Sequence, residues 1–170
     1  ADSSKGGALD VRNSYLVLDN VTLQSNHSGS SGGALFASNS YVEFQSSVVD
    51  TNTATTYGGN IHVESGSSIY LVNTTIKQGD AAQGGGLYAT GTSSVTLSGS
   101  TVTDNHSTVS GGGLSIHNNS SLAVNGATVS SNTSGSGSAI YLNSNATSTF
   151  DNATISGNTS ASGSGAIALS

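Results

Sequence analysis

A Gly-rich tetrapeptide recurs seven times along this chain at intervals of 26 or 27 residues. The copies begin at Gly6, Gly32, Gly58, Gly84, Gly111, Gly137 and Ser164. A repeat of this length is typical of a solenoid, in which each unit buries its apolar face only against the next unit. We therefore expect residues 1–170 to form a single solenoid domain of stacked coils.

Apolar side chains recur at matching places in every copy. In the first copy Leu9 and Val11, then Leu16 and Leu18, then Leu23, stand among polar residues in a period-two pattern, which indicates three short strands with one buried face each. Strands that stack on their copies one coil later make a parallel β-helix. We predict an all-β, single-stranded parallel β-helix with three strands per coil and about 6.5 coils. Parallel crossovers favour the right-handed form.

Two positions in the repeat carry small or amide residues. The Gly pair that opens a coil suits a left-handed turn or a close backbone approach, and the Lys and helix of a phosphate-binding loop do not follow it. Asn stands three residues after the third strand's last inward residue in five copies: Asn26, Asn52, Asn105, Asn132 and Asn158. This column predicts an amide ladder or a left-handed corner. Gly79 replaces Asn in the third copy and suits only the corner, so we expect the backbone role.

The G-G-A-[LIV] tetrapeptide and the Asn element together resemble the repeats of the chlamydial polymorphic outer membrane proteins, over residues 6–169. The resemblance implies a right-handed parallel β-helix at a cell surface, often with an adhesive role. The family's Phe is replaced by aliphatic residues such as Leu23 and Val49, and no segment resembles a barrel-forming anchor. Both motifs are structural, so they favour the fold more than the adhesion.

The composition limits the partners. Only 7% of the residues are charged and the net charge is −6, with three basic residues in all. Nucleic acid and anionic membranes attract clustered Lys and Arg, so we expect neither a nucleic-acid partner nor membrane insertion. The chain has no Cys, which excludes disulfides and thiolate metal sites.

Candidate catalytic and metal-binding residues are scattered. Asp19 and Glu43, on adjacent coils, are the closest approach to the carboxylate pair that a polysaccharide lyase or hydrolase would use. His27 and His106 share a column three coils apart, roughly 14 Å, which is too far for one metal ion. We therefore predict no catalytic residue, no metal and no cofactor, and we do not expect an enzyme.

An outward column beside the first strand is rich in aromatic residues: Phe36, His62, Tyr88 and Tyr141. Tyr41, Tyr57 and Tyr70 lie on neighbouring outward positions. Exposed aromatic side chains favour contact with a glycan, a protein or a sister rod. Stacking within the column, which would only stabilise the sheet, is the alternative.

A Thr column on the third strand's outer face resembles ice-binding surfaces, although its neighbouring column is mixed. The Thr residues are Thr22, Thr75, Thr101, Thr128 and Thr154. Thr is also simply a good strand residue, so ice binding is a minor alternative.

N-glycosylation sequons are abundant. The ten acceptors are Asn20, Asn26, Asn73, Asn105, Asn118, Asn119, Asn132, Asn145, Asn152 and Asn158. This is about twice the number that the Asn, Ser and Thr content would produce by chance, which favours a secreted, glycan-coated protein. Four of the ten also belong to the Asn column, and an Asn that points inward could not carry a glycan.

Neither end of the repeat array carries the polar cap that solenoids normally have. We expect either a segment of a longer protein or copies that stack end to end. The leading hypothesis is a non-catalytic extracellular structural protein that forms a rod, filament or stalk at the cell surface. The alternative is an adhesin module that binds glycan or protein through the aromatic column.

Overall fold

The structure, a computed structural model, describes residues 4–170; residues 1–3 of the expected solenoid lie outside the described residues. Within residues 4–170 the chain forms 25 strands and no helix. Every pairing between named strands is parallel and joins residues one coil apart, as between Leu9 and Leu35. The predicted all-β parallel solenoid is confirmed.

Strands stack into four sheets that run along the coil axis. The first sheet contains Leu9–Arg12, Leu35–Ser38, Ile61–Glu64, Leu87–Ala89, Leu114–Ile116, Ile140–Leu142 and Ile167–Leu169. The second contains Tyr15–Asp19, Tyr41–Gln45, Ser68–Val72, Ser94–Ser98, Ser121–Asn125 and Thr147–Asp151. The third contains Thr22–Gln24, Val48–Asp50, Thr75–Lys77, Thr101–Thr103, Thr128–Ser130 and Thr154–Ser156. These three sheets are the three strands that the apolar pattern predicts.

The fourth sheet was not predicted. It contains His27–Ser28, Thr53–Ala54, Asp80–Gln83, His106–Ser110, Thr133–Ser134 and Thr159–Ser160. Four of these strands have only two residues, which is too short for an alternating pattern to show. Their inward positions hold small residues such as Ser28, Ala54 and Ser107, all buried, so no large apolar residue marks the strand.

The core is the space enclosed by the sheets, filled mainly by aliphatic side chains and Phe44 from the inward positions of the first three sheets. Leu35, Phe44 and Ile61 are completely buried, whereas Leu9 and Leu16 in the first coil are only partly covered. Burial of such a side chain contributes roughly 1.5–3 kcal/mol. A coil between two other coils therefore receives more of this stabilisation than the first coil does.

The backbone requires Gly at both positions of the opening pair. Gly32 has φ of +67°, in the left-handed region where a side chain is strained. A Cβ on Gly33 would overlap the carbonyl oxygen of Gly59 in the next coil, so this position requires close approach of two backbones. Both properties expected of the Gly pair, a left-handed turn and a close backbone approach, are therefore found at this corner.

The Asn column forms a hydrogen-bonded ladder inside the corner between the third and fourth sheets. The backbone amide and Nδ2 of Asn105 both donate to Oδ1 of Asn132, each at 3.0 Å. Asn132 donates in the same way to Asn158, at 2.9 and 3.0 Å. Asn26 donates likewise to Oδ1 of Asn52, at 2.8 and 2.9 Å.

The expectation that the Asn column supplies the left-handed backbone is wrong. The left-handed residue is the one before the Asn, as at Ser25, Asp104 and Ser131 with φ of 55–56°. The Asn side chains instead satisfy backbone groups that the corner buries, because Nδ2 of Asn132 also donates to the Val102 carbonyl at 3.0 Å. In the third coil the side chain of Asn60 enters the ladder beside Gly79.

Candidate contact surfaces

The aromatic column of the first sheet forms a continuous stack. Phe36 and His62 meet edge to face with ring centroids 5.2 Å apart, and His62 and Tyr88 repeat this geometry at 5.2 Å. His117 continues the stack, 4.9 Å from Tyr88 and 5.6 Å from Tyr141. We call this set the first-sheet aromatic ladder. The structure thus brings together all four side chains of the predicted contact stripe.

The expected exposure of this stripe is wrong for most of its members. Phe36, His62 and Tyr88 are 0%, 3% and 7% exposed, although they lie on the outer face of the sheet, and Tyr141 is half-buried. Long side chains from the corners on either side of the short strands cover the rings. The Nζ of Lys5 and the Cζ of Arg12 lie 4.3 and 4.7 Å from the Phe36 ring centroid.

A tyrosine from the flanking corner closes the middle of this ladder. Tyr57 stacks on Tyr88 with centroids 4.5 Å apart and meets His62 edge-on at 5.8 Å. Burial beside Tyr57 raises the pKa of Tyr88 to about 12. The sequence column showed only the strand residues, so these flanking covers could not be predicted from it.

His62 is the most unusual group in the ladder. Both of its ring nitrogens are buried without a hydrogen-bond partner among the described residues. Nε2 lies 3.6 Å from Oε2 of Glu64, which itself pairs with Lys5 at 3.3 Å. Burial, with Lys5 nearby, lowers the pKa of His62 to about 3. The imidazole is therefore neutral at neutral pH and packs as an aromatic ring.

One Ser–His pair was not predicted from the sequence. Ser115 Oγ and His117 Nε2 lie 2.8 Å apart on the outer face of the first sheet, and burial lowers the pKa of His117. Such a pair resembles the nucleophile and base of acyl-transfer enzymes. Ser115 has no exposed surface, so a substrate could not touch it in this conformation. The only sequence signal for the pair was Ser and His two residues apart, at the end of one strand.

The second sheet carries an exposed tyrosine ladder on its outer face in the first three coils. Tyr15 and Tyr41 are stacked with centroids 4.7 Å apart and planes 7° apart. Tyr70 continues the stack, 5.2 Å from Tyr41. Tyr15 is 69% exposed and Tyr70 is 37% exposed. This face, rather than the first-sheet ladder, offers aromatic side chains to solvent.

Polar neighbours fix the middle ring of the exposed ladder. The Tyr41 hydroxyl donates to Oε2 of Glu43 at 3.0 Å, and Gln45 Nε2 donates to the other carboxylate oxygen at 2.6 Å. Burial between the neighbouring rings and this hydrogen bond to Glu43 raise the pKa of Tyr41 to about 12. Glu43, one member of the sequence's carboxylate pair, is therefore bound to Tyr41 and Gln45.

The sequons divide into two groups by exposure. Asn105 and Asn132 are buried, and Asn26 and Asn158 are half-buried, with Nδ2 of all four engaged in the ladder. The other six acceptors are exposed and all have positive φ: Asn20, Asn73, Asn118, Asn119, Asn145 and Asn152. Only this second group presents its amide to solvent.

The three basic side chains within residues 4–170, Lys5, Arg12 and Lys77, each pair with one carboxylate. Lys5 pairs with Glu64, Arg12 with Asp10 at 2.8 Å, and Lys77 with Asp50 at 3.3 Å. No three His, Cys, Asp or Glu side chains of this part of the chain converge on one point. His27 and His106 each share a hydrogen bond of 2.9 Å with a Thr of the next coil.

The outer face of the third sheet is more regular than its sequence columns suggested. In three consecutive coils it carries a pair of hydroxyl residues two positions apart: Thr101 and Thr103, Thr128 and Ser130, Thr154 and Ser156. Val48 and the Lys77–Asp50 ion pair interrupt the array in the earlier coils. The hydroxyl array thus covers only part of this face.

The coil geometry can be compared with known proteins. The family model for the right-handed β-helix region matches residues 7–170. The chain belongs to the right-handed β-helix family. This agrees with the stacked parallel sheets and makes the coil right-handed, as expected. No curated protein and no solved structure matches the chain, and the finer resemblance to the chlamydial repeats stays a prediction.

One further concave surface interrupts the β-helix on its fourth sheet. The strand His106–Ser110 is longer than its neighbours and exposes Val109. Beside it lies an open notch of about 390 Å³, whose lining includes His106, Thr133, Gly135 and Ala161. Nothing in the repeat pattern predicted this notch.

The described residues include no helix long and apolar enough to cross a bilayer.

Proposed function

We propose that this β-helix is a non-catalytic structural domain of an extracellular protein, acting as a rod, filament segment or stalk at the cell surface. The observation that carries the proposal is the continuous parallel stacking of all four sheets along the described chain, with one register shift, between Ala81 and Gln83 in the fourth sheet. Each coil adds a fixed rise of about 4.8 Å, so the number of coils sets the length of the element. A stiff element of defined length suits a spacer or a scaffold.

Stacking of side chains along the axis supports the same function. The Asn ladder and both aromatic ladders join each coil to the next by side-chain contacts in addition to the backbone hydrogen bonds. In the exposed ladder the ring faces of Tyr15 and Tyr41 are turned toward each other. Their aromatic surface therefore stiffens the stack more than it offers a flat platform to a ligand.

The surface chemistry favours an extracellular location. Neutral Ser, Thr, Asn and Gly dominate a chain in which only 7% of residues are charged. Six of the ten sequons lie exposed at corners, where a glycan would point away from the rod. The resemblance of the repeats to chlamydial surface proteins supports the same assignment.

The partner we propose for each end of the stack is another coil of the same kind. The last coils expose Phe150 (42%) and Leu169 (77%) from the inward columns, which a further coil would cover. That coil could come from a longer parent chain or from a second copy stacked end to end. Both sources would extend the rod with the same register.

Duplication of internal coils tests the rod function. A variant carrying a second copy of residues 58–136, three complete coils, should fold and lengthen the rod by roughly 14 Å. Small-angle scattering of the purified protein measures this length, with the unmodified chain as control. A spacer keeps its role in the cell when it is lengthened. Failure of the duplicated chain to extend would contradict the proposal.

An adhesin module is the second candidate function. The exposure of Tyr15 and Tyr70 and the notch beside His106 are the observations that favour it. If glycan or protein binds to the tyrosine face, Tyr15→Ser and Tyr70→Ser should abolish binding to a glycan array without unfolding the chain. Substitution of Phe36 or Tyr88 would be a poor test, because both are buried and their loss would disturb the first sheet.

A further inference from the structure

The exposed tyrosine ladder places two phenol rings in a position to react with each other. Tyr15 in the first coil and Tyr41 in the second lie in register on adjacent strands. Their rings are nearly parallel, 7° between planes, with centroids 4.7 Å apart. Tyr15 is 69% exposed, so a soluble oxidant could reach it.

A proton acceptor is already bound to one of the rings. The Tyr41 hydroxyl donates to Oε2 of Glu43 at 3.0 Å, and Gln45 holds the other carboxylate oxygen at 2.6 Å. A phenol that loses one electron becomes a strong acid and must release its proton. Glu43 is placed to take that proton, which would make Tyr41 easier to oxidise than a tyrosine whose hydroxyl meets only water.

We propose that Tyr15 and Tyr41 form an oxidative cross-linking site, where a peroxidase and hydrogen peroxide join the two rings as dityrosine. One hydrogen peroxide molecule removes one electron and one proton from each phenol and is reduced to two molecules of water. The two tyrosyl radicals form a bond between their ortho carbons. Each coupled ring is then a dienone, and transfer of its ortho hydrogen as a proton to its carbonyl oxygen restores the phenol. The cross-linked protein therefore has two hydrogen atoms fewer than the starting protein.

Such a bond would tie the first coil to the second. Within residues 4–170, Leu9, Leu16 and Leu18 of this first coil are only partly covered, whereas their counterparts in the second coil are buried. A covalent link between positions 15 and 41 would close a loop of one full coil. The link would therefore restrict separation of the first coil from the second. The supply of peroxidase and hydrogen peroxide depends on the extracellular location proposed above, whereas the geometry of the site does not.

A second tyrosine pair in the same chain provides an internal comparison. Tyr57 and Tyr88 are just as close, with centroids 4.5 Å apart and planes 28° apart. Tyr88, however, is only 7% exposed and is packed within the first-sheet ladder. Proximity alone would make both pairs react, whereas proximity with exposure and a proton acceptor excludes Tyr57 and Tyr88. Tyr41 also stacks on Tyr70, but at 5.2 Å and with 30° between planes, so the closer, more parallel and more exposed Tyr15 is its preferred partner.

Oxidation of the purified protein by peroxidase and hydrogen peroxide at low protein concentration tests the proposal. We expect dityrosine fluorescence, a monomer lighter by two hydrogen atoms, and a linked peptide containing Tyr15 and Tyr41 by mass spectrometry. Tyr41→Phe should abolish that peptide, and Glu43→Gln should slow its formation several-fold while circular dichroism stays unchanged. Tyr88→Phe and Tyr141→Phe serve as controls and should leave the yield unchanged.

Three results would overturn the inference. They are a dominant link in another pair, either Tyr57 with Tyr88 or Tyr41 with Tyr70, a yield that Tyr41→Phe does not change, and dityrosine found only between separate chains. Because the assay uses the isolated protein, its failure would leave the proposed rod function standing. Failure of the coil-duplication experiment would equally leave this cross-linking site untouched.

Discussion

The side chain of Asn60 fills the gap that Gly79 leaves in the asparagine ladder. Oδ1 of Asn60 accepts a hydrogen bond from Asn52 at 2.7 Å, and its Nδ2 donates to Asn105 at 3.1 Å. The backbone amide of Gly79 still donates to Asn105, at 2.9 Å. A Cβ on Gly79 would collide with the Asn60 amide, so the two departures from the repeat occur together.

This relationship predicts strong coupling between the two positions. Asn60→Ala removes the hydrogen bonds that Asn60 makes with Asn52, with Asn105 and with the Lys77 carbonyl, and should lower the free energy of unfolding by about 1–3 kcal/mol. Gly79→Asn alone should cost about 1–3 kcal/mol through overpacking. The double variant should lose less than the sum, because the clash with Asn60 is gone and only the contact with the Gly85 carbonyl must relax. Urea unfolding of all four proteins measures the cycle, and simple additivity would contradict the account.

Repetition explains why so much of the fold could be predicted. The columns headed by Leu9, Leu16 and Leu23 repeat through the internal coils with one interruption, Ser148, so burial of one face of three strands followed from the spacing alone. The Gly pair followed from backbone geometry in the same way. The fourth strand did not, because its inward Ser and Ala residues carry no apolar signal.

Features that depend on neighbours from other columns could not be predicted. Gly79 was interpreted as a corner residue because Asn60, which replaces it in the ladder, belongs to a different column. Phe36 and Tyr88 were expected to be exposed because their covers, Lys5 and Tyr57, lie on a flanking corner. A column aligns the residues that repeat along the coil axis, but it does not show which side chains from other columns pack against them.

The ladder itself should stabilise the chain much more than an exposed Asn does. Asn132→Ala removes the donors to the half-buried Asn158 and to the carbonyl of the buried Val102, and should destabilise the protein by about 1–3 kcal/mol. Asn125→Ala, at an exposed strand position, is the matched control and should change stability by less than about 0.5 kcal/mol. Equal effects in thermal or urea unfolding would show that the ladder is not a stabilising element.

Acid should weaken the protein through His62. Its pKa is lowered to about 3 in the folded protein from an ordinary 6.5, so the unfolded chain takes up the proton first as the pH falls. The stability due to neutral His62 is complete above pH 6.5 and is lost progressively between pH 6.5 and 3, at about 1.4 kcal/mol per pH unit. His62→Phe keeps an aromatic ring, removes two unpartnered nitrogens and should reduce this loss. Identical pH profiles of unfolding for the two proteins would refute the explanation.

Glycan occupancy should follow the division of the sequons. After expression in a eukaryotic secretory host, the folded protein should carry N-glycans at exposed corners such as Asn20, Asn73 and Asn152. It should carry none at Asn105 or Asn132, because a glycan on Nδ2 would prevent the ladder from forming. Mass spectrometry after enzymatic deglycosylation maps the occupied sites. Occupancy of Asn132 in the folded, secreted fraction would be incompatible with the ladder.

The central claim is that coils stack into a rod, and electron cryo-microscopy of the native protein tests it most directly. The account predicts elongated particles of constant width with an axial repeat near 4.8 Å, the spacing of stacked parallel strands. Compact particles without that repeat, or a repeat that runs across the particle instead of along it, would contradict the claim.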